Sequence, residues 1–150
     1  MSQLQLPGEL PRTKPTLALE SCADFFDRDF VELMEDVEDG VIKWAWNIAE
    51  QIGDGIRKEV RVYAPSAWAF CYNQPMPKLS EEDVYRIILP SRDIRSTELQ
   101  RILACSHQHI HVIKQFLIVT QPPRQEDGPN SYCKFSRESI VAFLRSRRIS

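Results

Sequence analysis

Thr97 to Gln115 (TELQRILACSHQHIHVIKQ) carries two short helical periodicities in a row, and few folds satisfy both. Leu99, Ile102 and Leu103 recur at helical spacing and predict a first amphipathic helix. Ser96 or Thr97 can cap it, and Glu98 sits in the first turn, where the helix dipole favours negative charge. Ala104-Cys105-Ser106 interrupts the pattern. Ser106 is a second N-cap, and Ile110 and Ile113 mark the buried side of a second helix over His107 to Gln115. Two short helices that cross closely after a three-residue turn make a helix-turn-helix. The outer side of the second helix then carries His107, Gln108, His111, Lys114 and Gln115, donors and acceptors with the reach for base edges and phosphates.

The following segment extends this pattern. Leu117-Ile118-Val119 predicts a strand, Gln121 to Asn130 (QPPRQEDGPN) a turn-rich loop, and Tyr132 to Phe135 a returning strand. Ser136 caps a last helix, RESIVAFLRSRR, with Ile140, Phe143 and Leu144 inward. Helix, turn, helix, two-stranded wing and an R-E-S-x-x-A-F-L helix together resemble the excisionase-like, MerR-like winged helix-turn-helix DNA-binding domains. The resemblance spans roughly 95–150. It rests on Leu99, Ile102, Leu103, Ser106, Ile110 and Ile113, then on Ser136 to Ser139 and Ala142-Phe143-Leu144. The chain departs from the family at Gln100, where a small residue is usual, at Ala104, where glycine is usual, and in its longer wing. The resemblance implies a bacterial-type transcription regulator or a recombination-directionality factor, acting as a dimer or a cooperative array on double-stranded DNA.

Charge divides the chain. Residues 1–90 hold 9 Lys/Arg against 16 Asp/Glu, a net of −7; residues 91–150 hold 10 against 5, a net of +5. Such asymmetry suggests that one half meets a polyanion, or that the halves attract each other. At 150 residues and 17.4 kDa there is room for one ordinary domain or two very small ones. No apolar run approaches the roughly 18 residues of a membrane span, so no membrane association is expected. The N-terminal stretch lacks a signal-type apolar core. The four cysteines (22, 71, 105 and 133) are scattered without a C-x-x-C, which predicts reduced, buried thiols and a cytoplasmic protein.

Residues 1–15, with Pro7, Pro11 and Pro15, predict a flexible arm. Thr16 to Ala23 suggests a short helix. Asp24 to Glu38 predicts a longer one, through Phe26, Phe30, Leu33, Met34 and Val37, with an acidic outer side and a stop at Gly40. That acidic side is read as solvated rather than as a metal site. Val41 to Ile48 and Arg57 to Tyr63 alternate like the strands of a hairpin, with Lys43, Arg57, Lys58 and Arg61 able to touch a backbone. Pro65-Ser66 then opens a helix to Tyr72. Ser80 to Asp83 caps a short helix that Pro90 ends. Helix, hairpin and Ala-Phe helix thus occur twice. Phe30-x-x-Leu33 matches Ile110-x-x-Ile113, and Ala69-Phe70 matches Ala142-Phe143, with 39 and 32 residues between the anchors. The expected fold is α+β: an acidic, degenerate winged-helix-like unit over 16–75, a linker with a short helix over 76–94, and a winged helix-turn-helix over 95–150.

No glycine-rich phosphate loop or nucleophile elbow occurs, so no enzyme and no cofactor is expected. His107 and His111 share a helix face, but without further ligands at a recognised spacing they predict no metal site; a metal-sensing regulator is the weakest of three readings. The residues expected on DNA are Ser106, His107, Gln108, His111, Lys114 and Gln115 on the helix, and Arg124, Asn130 and Lys134 in the wing. Arg145, Arg147 and Arg148 join them from the end of the chain, although cations there also suit a helix C-terminus. The acidic half is the natural surface for a second copy or a protein partner. The competing reading is a protein-interaction module that keeps the winged-helix shape without DNA binding.

Overall fold

The computed structural model describes residues 14–49, 59–121 and 133–150. Their architecture is mixed α+β, with two small antiparallel sheets of three strands each. The first unit runs β1 (Thr16–Ala18), α1 (Leu19–Phe25), α2 (Phe30–Glu38), β2 (Ala45–Asn47), β3 (Val60–Tyr63) and α3 (Ala64–Cys71). After α4 (Glu81–Ile88) the same order returns: β4 (Asp93–Arg95), α5 (Ser96–Ile102), α6 (His107–Ile113), β5 (Val119–Gln121), β6 (Lys134–Ser136) and α7 (Arg137–Ser146). A short 3-10 turn, Lys114–Phe116, follows α6. The sheets have equivalent strand orders, β1-β3-β2 and β4-β6-β5.

The repeat holds residue by residue. Thr16, Leu17 and Ala18 pair with Tyr63, Val62 and Arg61; Asp93, Ile94 and Arg95 pair in the same register with Ser136, Phe135 and Lys134. Each third helix is tied back to the residue before the first strand, through Ala64 N to Pro15 O and Arg137 N to Arg92 O. Both helical pairs turn on a left-handed residue, Asp27 (φ 51°) and Ala104 (φ 49°). Both second helices then start from a capping side chain: Asp29 accepts from Glu32 N, and Ser106 from His109 N.

These caps correct the sequence reading of the first half. The periodicity through Phe26 and Phe30 predicts one helix over Asp24–Glu38, but the chain breaks at Phe26–Asp29. Thr16–Ala18, expected to be helical, is a strand. The cap positions also move the match by one turn. Leu33, not Phe30, corresponds to Ile110, and Phe30 corresponds to His107. Ala69-Phe70 and Ala142-Phe143 do occupy equivalent places in α3 and α7, and the first unit has four more residues between the start of α2 and β3, three of them before β2. In the stretch 76–94, expected to link the halves with a short helix that bridges them or packs on the second, that helix, α4, packs in the second core, and the stretch also supplies the strand β4. A reciprocal capping box, Ser80 with Asp83, starts α4 as anticipated.

Each unit has its own core, and the two meet across a buried seam. Leu17, Leu33, Val37, Val60 and Val62 pack in the first unit. Leu99, Ile102, Ile110, Ile113, Phe135 and Leu144 pack in the second, and Trp44, Trp46, Ile48 and Tyr63 of the first unit join them. The alternation at 42–48 therefore has a different meaning from the expected one. Trp44, Trp46 and Ile48 bury their side against the other unit, while Val60 and Val62 serve their own core. The end of the chain closes the seam along the β2 edge. Asn47 N donates to Arg147 O (2.9 Å) and Ile149 N to Ala45 O (2.8 Å), forming an antiparallel bridge between Trp46 and Arg148.

Ala104 holds a backbone conformation that strains a Cβ by roughly 1–2 kcal/mol. Ala104→Gly should therefore stabilise the chain by about 0.5–1 kcal/mol after the greater freedom of glycine in the unfolded state is counted. Thermal denaturation should show a midpoint raised by ~1–4 °C; an unchanged or lower midpoint would contradict the strain.

Candidate nucleic-acid interface

The α6 helix owes its orientation to its capped N-terminus, its apolar side and His109. Ser106 caps it, and Ile110 and Ile113 anchor it in the second core. His107, Gln108, His111, Lys114 and Gln115 remain exposed along the opposite side, so the structure groups these predicted residues. Gln115 Nε2 also donates to Val112 O (2.9 Å). His109, between them in sequence, is half-buried and lies 2.6 Å from Ile48 O of the first unit. A carbonyl can only accept, so the Nε2 atom of His109 is the donor.

The second sheet adds a polar row. Directly opposed residues on neighbouring strands point to the same side. Arg95, Lys134 and Gln121 are opposed across β4, β6 and β5, with Lys134 half-buried. The alternate row, Ile94 and Phe135, points into the core. Lys134 thus sits at the base of the predicted wing, with Arg95 beside it. Arg124 and Asn130 lie outside the described residues, as do Arg57 and Lys58. Sequence reasoning missed Arg95 because a three-residue strand shows too little alternation to register.

The terminal arginines occupy other places. Arg145 bonds the Glu82 carboxylate, lies 3.5 Å from Glu81, and sits over the Tyr85 ring. Arg148 pairs with Glu81 at 3.3 Å and stacks 4.5 Å from the Trp44 ring centroid. Arg147 is buried, donates to Ala49 O, and lies over both Phe116 and Phe143. Acidic α4 thus neutralises part of the charge that the sequence assigns to DNA. Arg61, expected to be available on the hairpin, is also buried: its Nε donates to Leu103 O (2.7 Å) and Ala104 O (3.2 Å).

The corresponding helix of the first unit presents a different surface. The exposed side of α2 shows Val31, Glu32, Glu35 and Glu38, which repel a phosphate backbone. Its sheet row is Ala18, Arg61 and Trp46. Trp46 is fully buried, and its indole N–H donates to the Tyr85 hydroxyl (3.2 Å), which donates to the Glu81 carboxylate (2.8 Å). Burial pushes the Tyr85 phenol up to about 12, so it stays protonated and holds this chain of bonds.

All four cysteines are free thiols. Burial raises Cys22 to about 12 and Cys71 and Cys105 to about 11, which leaves little thiolate at neutral pH. Among the described residues no group of three His, Cys, Asp or Glu is placed to hold a metal ion, and no helix is long and apolar enough to cross a membrane. Comparison with protein-family models, curated proteins and solved structures finds no match to this chain.

Arg61→Met removes the donor to two turn carbonyls while keeping much of the side-chain volume. It should destabilise the chain by about 1.5–3 kcal/mol, the worth of hydrogen bonds to a charged group. Urea denaturation followed by Trp fluorescence measures this; a loss under about 0.5 kcal/mol would show that the carbonyls need no such partner.

Proposed function

We propose that this protein binds duplex DNA sequence-specifically through its second unit, as a winged helix-turn-helix. The α6 helix enters the major groove, and the β5–β6 hairpin serves as the wing. One observation carries the reading. A capped, core-anchored helix exposes a run of amide, imidazole and ammonium groups, and Arg95 and Lys134 share one row of the sheet, within a β-α-α-β-β-α topology. Gln108 is the favoured base reader, because its amide can pair bidentately with adenine. His107 and His111 flank it. Lys114 and Lys134 take phosphates, Ser106 sits where the helix N-terminus meets the backbone, and Gln115 lies at the far end. Arg147 and Arg148 stay in the seam, and Arg145 pairs with Glu81 and Glu82 of α4. Both a transcription regulator and an excisionase-like factor fit this reading, which is binding rather than catalysis and suits a reducing cytoplasm in which four thiols stay free.

The acidic first unit favours a protein contact over a second DNA contact. Its α2 side, with Val31 62% exposed between carboxylates, suits a protein partner or a second copy. A winged-helix interaction module without DNA binding is the competing reading, and the same experiment separates the two.

Anisotropy of labelled duplex DNA titrated with the whole chain across a salt series tests the proposal. Neutralising about four phosphates gives a slope near −3.6 of log K against log salt. Lys114→Ala should weaken binding and flatten the slope by ~0.9, whereas Arg148→Ala should leave the slope unchanged. No binding at low salt would sink the DNA reading in favour of the interaction module.

A further inference from the structure

The seam does more than join two units. Three successive carbonyls at the turn of the second unit accept from side chains of the first. Thr16 Oγ1 donates to Ile102 O, and Arg61 Nε donates to Leu103 O and Ala104 O. Ile102 and Leu103 stand at the end of α5, where carbonyls lack helical partners, and Ala104 follows in the turn. In return, three successive carbonyls of the first unit face donors of the second. Arg147 reaches Asn47 O (3.5 Å) and Ala49 O, and His109 takes Ile48 O. Asn47 Oδ1 accepts from both Ala49 N (3.1 Å) and Glu59 N (3.0 Å), which fixes the strand that carries them.

Of these donors, His109 alone lies on α6, between the exposed Gln108 and the core-anchoring Ile110. Rotation of the helix about its axis is therefore limited from outside the second unit. The equivalent position on α2 is Glu32, which is exposed. The brace belongs to one helix of the pair, the one with base-reading side chains. A helix seven residues long is held by few contacts, so a bond in its first turn has strong leverage on which side chains face outward.

We propose that His109 is a positioning residue: its bond to the Ile48 carbonyl lets the first unit set the angle at which α6 presents His107, Gln108 and His111, and so sets DNA sequence discrimination. This rests on the DNA reading above. The first unit acts as an intramolecular brace for specificity. Phosphate contacts from Lys114 and Lys134 do not depend on that angle to the same degree, because phosphates accept from many directions while base edges do not.

The test uses the whole chain. A preferred duplex is selected from a random library with the unaltered protein. Affinities for that duplex and a scrambled one are then measured for His109→Leu and His109→Gln, with thermal melts of both. The leucine variant should lose about tenfold in discrimination, with scrambled-duplex affinity and salt slope unchanged. The glutamine variant, whose amide can donate to the same carbonyl, should keep discrimination. A merely structural role would instead weaken binding to both duplexes together. Unchanged discrimination in His109→Leu, an equal loss on both duplexes, or a glutamine variant that behaves like leucine overturns the inference while the DNA reading stands. If the leucine variant unfolds, His109→Asn, polar but too short to reach Ile48, takes its place with the same expectation. Failure of the unaltered chain to bind duplex DNA, or to prefer any sequence, defeats the DNA reading and the inference with it, and that outcome is read without any variant.

Discussion

Buried carbonyls need donors, and the two units of this protein supply each other's. The Ile102 and Leu103 carbonyls end a helix inside the molecule, and the half-buried Ala104 carbonyl follows them. Thr16 and Arg61 donate to them. The Asn47 to Ala49 carbonyls are buried in turn, and Arg147 and His109 reach them. Each unit would expose unmet polar groups if separated from the other, and the first would also expose Trp44 and Trp46. The hydrophobic share of the seam is large, since Trp44, Trp46, Ile48 and Tyr63 all lie in the core of the second unit. Burying a single large side chain of this kind is worth several kcal/mol.

This mutual dependence explains how one topology supports two surfaces. The sheet row that holds Trp46 and Arg61 in the first unit holds Gln121 and Lys134 in the second. The first row is buried in the seam and the second is half-exposed. The helix that ends in carboxylates in one unit carries histidine, glutamine and lysine in the other. Charge follows the same division. Acidic α4 lies against the tail arginines Arg145 and Arg148, so part of the positive charge of the second half is matched within the molecule.

Local chemistry made much of the second unit legible. Ser106, Ser136 and the Ser80–Asp83 box are caps, and a cap is recognised from a few neighbouring residues. The apolar positions of α5, α6 and α7 repeat at 3.6-residue spacing and all turn inward. The first unit was harder to read. Phe26 and Phe30 continue an apolar period straight across a turn, and Asp29, the capping residue, sits among other acidic residues that conceal it. Without a glycine at Asp27, nothing in the sequence marks the left-handed turn. Strands β1 and β4, three residues each, fall below the length at which alternation is a signal. Among the site residues, the outward side of α6 was legible, because helical spacing separates it from Ile110 and Ile113. The roles of His109, Arg61 and Arg147 were not, because each depends on a residue more than forty positions away.

By itself, then, the sequence determined the α+β class, the helical pair at 97–115, the Ser80, Ser106 and Ser136 caps, the repeat of an Ala-Phe helix after a hairpin, and the division of charge. Each is local or periodic, and so is written in neighbouring residues. Ser96 or Thr97, expected to cap α5, does not, because that helix starts directly from strand residue Arg95 with no side-chain cap. Tertiary structure alone decided which faces meet. An apolar strand face looks the same in sequence whether it covers its own core or another unit, and an arginine looks the same whether it meets a phosphate or a buried carbonyl. Only the packing of the two units placed Trp46 and Arg61 in the seam, drew the terminal arginines onto Glu81, Glu82 and the β2 edge, and set the Ile48 carbonyl against His109. The physical reason is that burial and partner choice belong to pairs of distant residues, and no single stretch of chain contains both members of a pair.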